Sequence, residues 1–203
     1  MAKALTIKEK TAKAYETMKG TYGYKNIMQA PKIEKVVVSV GTGKMSKTDK
    51  KRNDFVAERL AKIVGQKTLA TRAKQAIASF KTRQGDIIGQ IATLRGVRMH
   101  AFLEKLLNIA LPRSKDFRGI SPRAVDGMGN CTIGIKEHTI FPESSDEDLR
   151  DVFGMAITIV TNVKNRDEAR EFLKIIGVPF RSVDEEKKAR TRKKKEKKAK
   201  PAA

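Results

Sequence analysis

Ile33-Glu-Lys-Val-Val-Val-Ser-Val40, closed by Gly41-Thr-Gly43, is the stretch on which the fold turns. It is dominated by β-branched residues and stopped by glycines, so it reads as a strand. Alternation sends Val36, Val38 and Val40 to one side and leaves Lys35 and Ser39 on the other. A strand that is apolar on one face and polar on the other belongs to a sheet covered on one side only.

The flanking sequence supplies the cover. Upstream, Thr6-x-x-Glu9 has the form of a capping box for a helix to about Lys19, ended by Gly20 and Gly23. Downstream, Ser46-x-x-Asp49 offers a cap for a helix carrying Val56, Leu60, Ile63 and Val64 at helical spacing, with Gly65 placed for a left-handed C-terminal residue. A short strand is expected over Lys67–Thr71. Ser79–Arg83 and Ile87–Arg95 read as a hairpin around Gln84-Gly85-Asp86, with Phe80 and Leu94 inward and Ser79, Lys81, Arg83, Thr93 and Arg95 outward. Met99, Phe102, Leu103, Leu106, Leu107 and Ala110 mark the clearest helix, with Pro112 as its stop. Residues 112–130 have no period, and an unstructured loop of that length inside a domain is usually functional. Strands at Cys131–Lys136 and Met155–Thr161 follow. The last helix is capped at Asn165-x-x-Glu168, faces Ala169, Phe172, Leu173 and Ile176 inward, and is closed by Gly177 and Pro179.

Strands and helices intermingle here without regular βαβ alternation. The expected class is therefore α+β: a single domain over residues 1–180, its sheet largely antiparallel, helices on one face and the other face open. Residues 181–203 contain 11 basic and 4 acidic residues and almost nothing apolar, so a disordered Lys/Arg-rich extension is expected.

Charge narrows the function. The chain of 203 residues carries 44 Lys+Arg against 23 Asp+Glu, a net +21. Residues 1–180 keep 33 basic and 19 acidic residues, so the body is basic without its tail. A polyanion relieves such self-repulsion, nucleic acid first and an anionic membrane surface second. The bias is steepest between Gly65 and Arg98, where Lys67, Arg72, Lys74, Lys81, Arg83, Arg95 and Arg98 face the lone acid Asp86. The 112–130 loop adds Arg113, Lys115, Arg118 and Arg123. An open sheet face carrying Ser, Thr, Lys and Arg suits phosphates and 2′-hydroxyls. Aromatic residues are scarce, with only Tyr22, Tyr24 and Phe117 read as loop residues, so recognition of RNA by shape and backbone is expected over base stacking.

Other classes find little support. Gly41-Thr-Gly-Lys-Met-Ser46 would need glycine at 38 and Ser or Thr at 45 to be a phosphate-binding loop, and those positions are Val38 and Met45. His100, His138 and Cys131 lack metal-ligand spacing, and Cys131 reads as a small core residue. Glu143, Asp146, Glu147, Asp148 and Asp151 read as a helix start or a dock for a basic partner. No catalytic set and no cofactor is expected. A single cysteine fits a reducing cytosol, and no apolar run approaches the ~20 residues of a membrane span. The competing class is a general basic adaptor for DNA or membranes acting through the tail.

Several segments carry a resemblance. They are Pro31-Lys-Ile-Glu-Lys-Val-Val-Val38, Gly65-Gln-Lys67, Ala76-Ile-Ala-Ser-Phe-Lys81, Thr93-Leu-Arg-Gly96, Leu111-Pro-Arg113, Asp116-Phe-Arg-Gly119, Asp126-Gly-Met-Gly-Asn130, Phe141-Pro-Glu143 and Gly177-Val-Pro-Phe180. Collinear over roughly residues 2–180, they resemble the family of bacterial large-subunit ribosomal protein five. That resemblance implies an antiparallel sheet whose exposed face binds 5S rRNA in the central protuberance of the cytoplasmic ribosome. It places RNA contacts at Ser39, Gln66, Thr93 and Arg95; the residue pattern adds Lys35, Lys67, Lys81, Arg83, Arg113 and Arg118. It also implies that the loop bearing Arg72, Lys74, Gln75 and Ser79 reaches the P-site tRNA. Glu143, Asp146, Glu147 and Asp148 would meet small-subunit ribosomal protein thirteen. Large-subunit rRNA and other central-protuberance proteins complete the implied partners. Ser39 departs from the family's usual asparagine, and the 181–203 tail has no counterpart there.

Overall fold

Thr6 and Glu9 cap the first helix reciprocally: the Glu9 N–H donates to Thr6 Oγ1 at 3.3 Å and the Thr6 N–H to Glu9 Oε2 at 2.9 Å. From there α1 (Ile7–Tyr22) buries Ile7, Ala14 and Met18 on one stripe and ends at Gly23 in the left-handed region. The computed structural model describes residues 6–43, 51–115, 117–144 and 152–181. In chain order these form β1 (Ile33–Gly41), α2 (Lys51–Val64), β2 (Leu69–Arg72), β3 (Ile87–Leu94), α3 (Gly96–Lys105), a π-helical turn (Leu106–Ala110), the single turn α4 (Leu111–Arg113), β4 (Cys131–Ile135), β5 (Met155–Thr161) and α5 (Arg166–Ile176).

The five strands make one sheet in the order β2-β3-β1-β5-β4, every pairing antiparallel. The register follows from the alternation of apolar side chains. Val36, Val38, Val40, Ala92, Leu94, Cys131, Ile133, Ile135, Met155, Ile157 and Ile159 are buried against the helices. Each large one contributes about 1.5–3 kcal/mol, and a one-residue slip would turn a whole strand's set to water. In the helical layer α2 lies on β3, α3 on β1, and α1 against α3 and α5. Lys105 joins three pieces of that layer, donating to the Ile63 carbonyl at 2.6 Å and pairing with Glu143 at 2.5 Å. The α+β class with one covered face is therefore what the chain adopts.

Four local expectations need correction. Ser79–Arg83 is not a strand: Ala78–Phe80 is a 3₁₀ turn, Lys81 is left-handed at φ +49°, and Phe80 points outward, 63% exposed. The hairpin is instead β2–β3, joined by a 14-residue arm, 73–86. Pro112 does not end its helix, which continues to Arg113. The π turn just before it loosens the backbone where the proline ring would otherwise meet the preceding turn. Asn165 holds the cap position of α5 without a side-chain hydrogen bond, while Glu168 accepts from the Tyr24 hydroxyl. Finally, Tyr22 is the last residue of α1 rather than a loop residue. Gly65 is left-handed at φ +72°, as its position after α2 requires. The Ser46 cap, Asp116, Asp146, Glu147, Asp148, Asp151 and the expected disorder beyond Arg181 lie outside the described residues.

Candidate nucleic-acid interface

The uncovered side of the sheet is built from the residues between the buried ones. The paired positions give rows across the strands. Leu69, Ile91, Ser39, Ala156 and Gly134 form one row; Thr93, Val37, Thr158 and Thr132 form the next. Among these residues none is buried. Among the described residues, nothing stands within 4 Å of where a Cβ would sit on Gly41 or Gly134. Gly89 alone is tight, because a Cβ there would lie 2.7 Å from Thr71 Oγ1 and 2.8 Å from the Val40 carbonyl oxygen. The face is thus shallow and small-featured, with hydroxyls at Ser39, Thr93, Thr132 and Thr158. Ser39 Oγ turns toward the Ala156 carbonyl at 3.5 Å, and the Thr132 and Thr158 hydroxyls bond each other at 3.1 Å.

Cations frame this face rather than fill it. Lys35 precedes Val36, where the pairing of β1 with β3 begins at Val36↔Leu94, and Arg95 follows Leu94 in extended geometry at the start of α3. Gln66 donates to the Thr93 carbonyl at 3.2 Å, bringing its amide to the same end. Lys35, Gln66, Lys67, Thr93 and Arg95 therefore gather where β3 gives way to α3. Lys67, Thr93 and Arg95 are exposed there.

At the other end of β3, about 24 Å away along the strand, Arg72 leads into the arm. Lys81 and Arg83, expected on the sheet face, are carried there instead. The cause is the arm's own hydrogen bonding. Ala73 and Gly85–Asp86 bond across its base at 2.8 and 3.0 Å, Ile77 and Thr82 exchange bonds at 3.1 and 3.2 Å, and Asp86 accepts from the Arg83 N–H at 2.8 Å. These contacts hold Arg72, Lys74, Gln75, Ser79, Lys81 and Arg83 exposed around Ile77 and Phe80. Phe80 is a candidate contact that the sequence reading placed in the core. The alternation Ser79-Phe80-Lys81 imitates a strand, and a non-glycine residue in left-handed geometry gives no warning.

Residues 26–83 match the family described as Ribosomal protein L5, and residues 87–180 match the ribosomal L5P family C-terminus. The large ribosomal subunit protein uL5 of Halothermothrix orenii is 50% identical over 159 residues, 78% of this chain and 88% of its own. That of Syntrophomonas wolfei is 47% identical over 178 residues, 84% of this chain and 99% of its own. That of Prochlorococcus marinus (strain MIT 9211) is 52% identical over 160 residues, 79% and 89%. The chain belongs to the ribosomal protein L5 family. As a member of the L5 family it is a structural, non-enzymatic constituent of the large subunit of the cytoplasmic ribosome, working in contact with rRNA.

Two groups of L5 candidates lie away from the open face. Arg113 ends α4, and Arg118 and Arg123 belong to a loop held against α5. The Pro122 carbonyl accepts from Arg170 at 2.9 and 3.1 Å, and Arg181 donates to the Gly119 carbonyl at 2.7 Å. These bonds hold the 117–124 loop against the helical layer. Glu143, the described member of the acidic cluster, has its carboxylate engaged by Lys105. Among the aromatics, Tyr22 and Tyr24 stack at 6.1 Å, and they and Phe117 are partly buried against the core.

Proposed function

We propose that this chain binds 5S rRNA through the uncovered sheet face and so helps attach it to the central protuberance. The carrying observation is that face: left uncovered by the described helices, low in relief, and flanked by Lys35, Gln66, Lys67, Thr93 and Arg95. A-form RNA presents phosphates and 2′-hydroxyls over a broad, shallow surface, and such a face meets both with hydroxyls in the middle and cations at the rim. Ser39, where the family usually has asparagine, keeps a hydroxyl on the central strand. In the same reading the 73–86 arm reaches the P-site tRNA, with Arg72, Lys74, Gln75 and Ser79 as contacts. The region from Glu143 onward meets small-subunit ribosomal protein thirteen. Arg113 and Arg118 touch large-subunit rRNA near other central-protuberance proteins. The segment 181–203 anchors to nearby rRNA without selectivity.

Binding of 5S rRNA measured across salt concentrations tests this. About six phosphate contacts give a log–log slope of roughly −4 to −5. Gly134→Phe has space to fold and stands on the face, so it weakens binding while leaving the thermal midpoint intact. A flat salt response, or wild-type affinity in that variant, removes the face from the interface. Deleting 182–203 separates this reading from a tail-driven basic adaptor: only the adaptor loses all binding with the tail.

A further inference from the structure

The two edges of the sheet are treated differently. At β4, Val125 closes a bridge onto Cys131 and covers part of that edge. Among the described residues, nothing pairs with the outer edge of β2. Natural sheets blunt free edges with short strands, bulges, charge or proline. Leu69-Ala-Thr-Arg72 is short, shifts register between Thr71 and Arg72 and ends on a charge, but it has no proline, and Leu69, Ala70 and Thr71 keep regular pairing with β3.

The surroundings of this edge suit a peptide. On the open-face side Leu69 is 70% exposed beside Ile91. On the helix side a trough of about 290 Å³ runs between α2 and β2, floored by Ala57, Ala61 and Ala70. Its polar wall is self-contained, because Thr68 Oγ1 and Gln90 Oε1 bond at 3.1 Å. An extended strand laid along β2 would point alternate side chains onto Leu69 and into the trough. Exposed Lys67 and Arg72 stand at the two ends, and neither holds a carboxylate among the described residues. A strand edge presents amide donors and carbonyl acceptors in turn at a fixed spacing, a pattern that a second extended polypeptide matches in register and that phosphates, which only accept, do not.

We propose that the outer edge of β2 docks an extended segment of a neighbouring large-subunit protein, four or five residues long, which joins the sheet as a further strand. Its chemistry is a small or apolar residue seated over Ala57, Ala61 and Ala70, with an acidic residue at each end facing Lys67 and Arg72. This site rests on membership of the large subunit. It shares Lys67 with the rim of the proposed RNA face and Arg72 with the base of the arm, so the protein partner of the crosslink, which RNA on the open face does not supply, is what separates the two readings.

The test uses large subunits assembled with this chain. A photo-crosslinking benzoylphenylalanine placed at Glu58, on the exposed rim of the trough, is irradiated and its products are mapped. The expected product is a crosslink to an Asp/Glu-containing segment of another ribosomal protein, with its yield lowered about tenfold when Ala61→Tyr fills the trough. In the unsubstituted chain, the Leu69–Arg72 amides exchange about tenfold more slowly in the subunit than in the free protein. That measurement holds even where a variant fails to assemble. Crosslinks to rRNA alone, no crosslink, an undiminished yield with Ala61→Tyr, or unchanged exchange would each overturn the proposal.

Discussion

The open sheet face and the 73–86 arm are both offered to solvent, yet they are made in opposite ways. The face is wide, neutral at its centre and backed by the core, so every residue on it inherits its position from a buried neighbour on the same strand. The arm is narrow, cationic and held by its own backbone hydrogen bonds, with Phe80 and Ile77 left bare. A face of that kind serves shape recognition, in which many small contacts depend on flatness. An arm of that kind serves reach, in which a few residues carry the contact. Charge alone does not tell them apart, since cations mark the rim of one and the length of the other.

The largest expected effect comes from placing a like charge where the face is flat. Ser39→Glu puts a carboxylate between Ile91 and Ala156, and repulsion costing several kcal/mol lowers 5S rRNA affinity by about 100-fold or more in a filter-binding titration. The same change leaves tRNA-dependent activity of the arm to be judged independently. Arg95→Ala comes next. Loss of one charge-assisted contact, about 1.5–3 kcal/mol, weakens 5S rRNA binding about tenfold or more and makes the salt slope shallower by about 0.7–0.8. Lys81→Ala with Arg83→Ala should change 5S rRNA affinity by less than about threefold, because both residues lie on the arm. A loss as large as that of Arg95→Ala would erase the distinction between the regions.

Smaller still is Phe80→Ala. An exposed side chain outside the core shifts stability by no more than about 0.5 kcal/mol, read from urea unfolding. A large loss would mean that the arm folds over its aromatic residue. The gentlest expectation concerns the layer behind the face. Burial first, then the hydrogen bond to Glu168, holds the Tyr24 hydroxyl well above the usual tyrosine range. A group whose pKa is raised by folding stabilises fully below its unfolded value, near 10, and less as pH climbs beyond it. Unfolding free energy should therefore fall above pH 10 in the parent and fall less steeply in Tyr24→Phe.

Much of this was readable in advance, for definable reasons. Ile33–Val40 and Met155–Thr161 announce themselves because alternate positions are valine and isoleucine, and burial enforces that period. Thr6 and Glu9 announce a helix start because two orphan backbone groups have one economical solution in that spacing. Ser79–Arg83 misled because period-two alternation is also what an ordered loop shows when one apolar residue faces out. Its true course depends on backbone bonds between Ile77 and Thr82 that no side-chain pattern encodes. At the candidate site, Ser39, Thr93 and Arg95 were legible as the polar phase of strands. The placing of Lys81 and Arg83 was not, since it follows from the misassigned segment. Gly134 and Ala156 passed unnoticed because flatness is a property of what is missing from a side chain.

Among the described residues the α-helices lie behind the sheet, so the face proposed for recognition takes no part in building the hydrophobic interior. On the reading proposed above, the sheet and its helical backing form one core without help from the open face, and docking then asks for little reorganisation of them. Assembly of the particle proceeds, on this account, by capture of a finished template rather than by folding on contact.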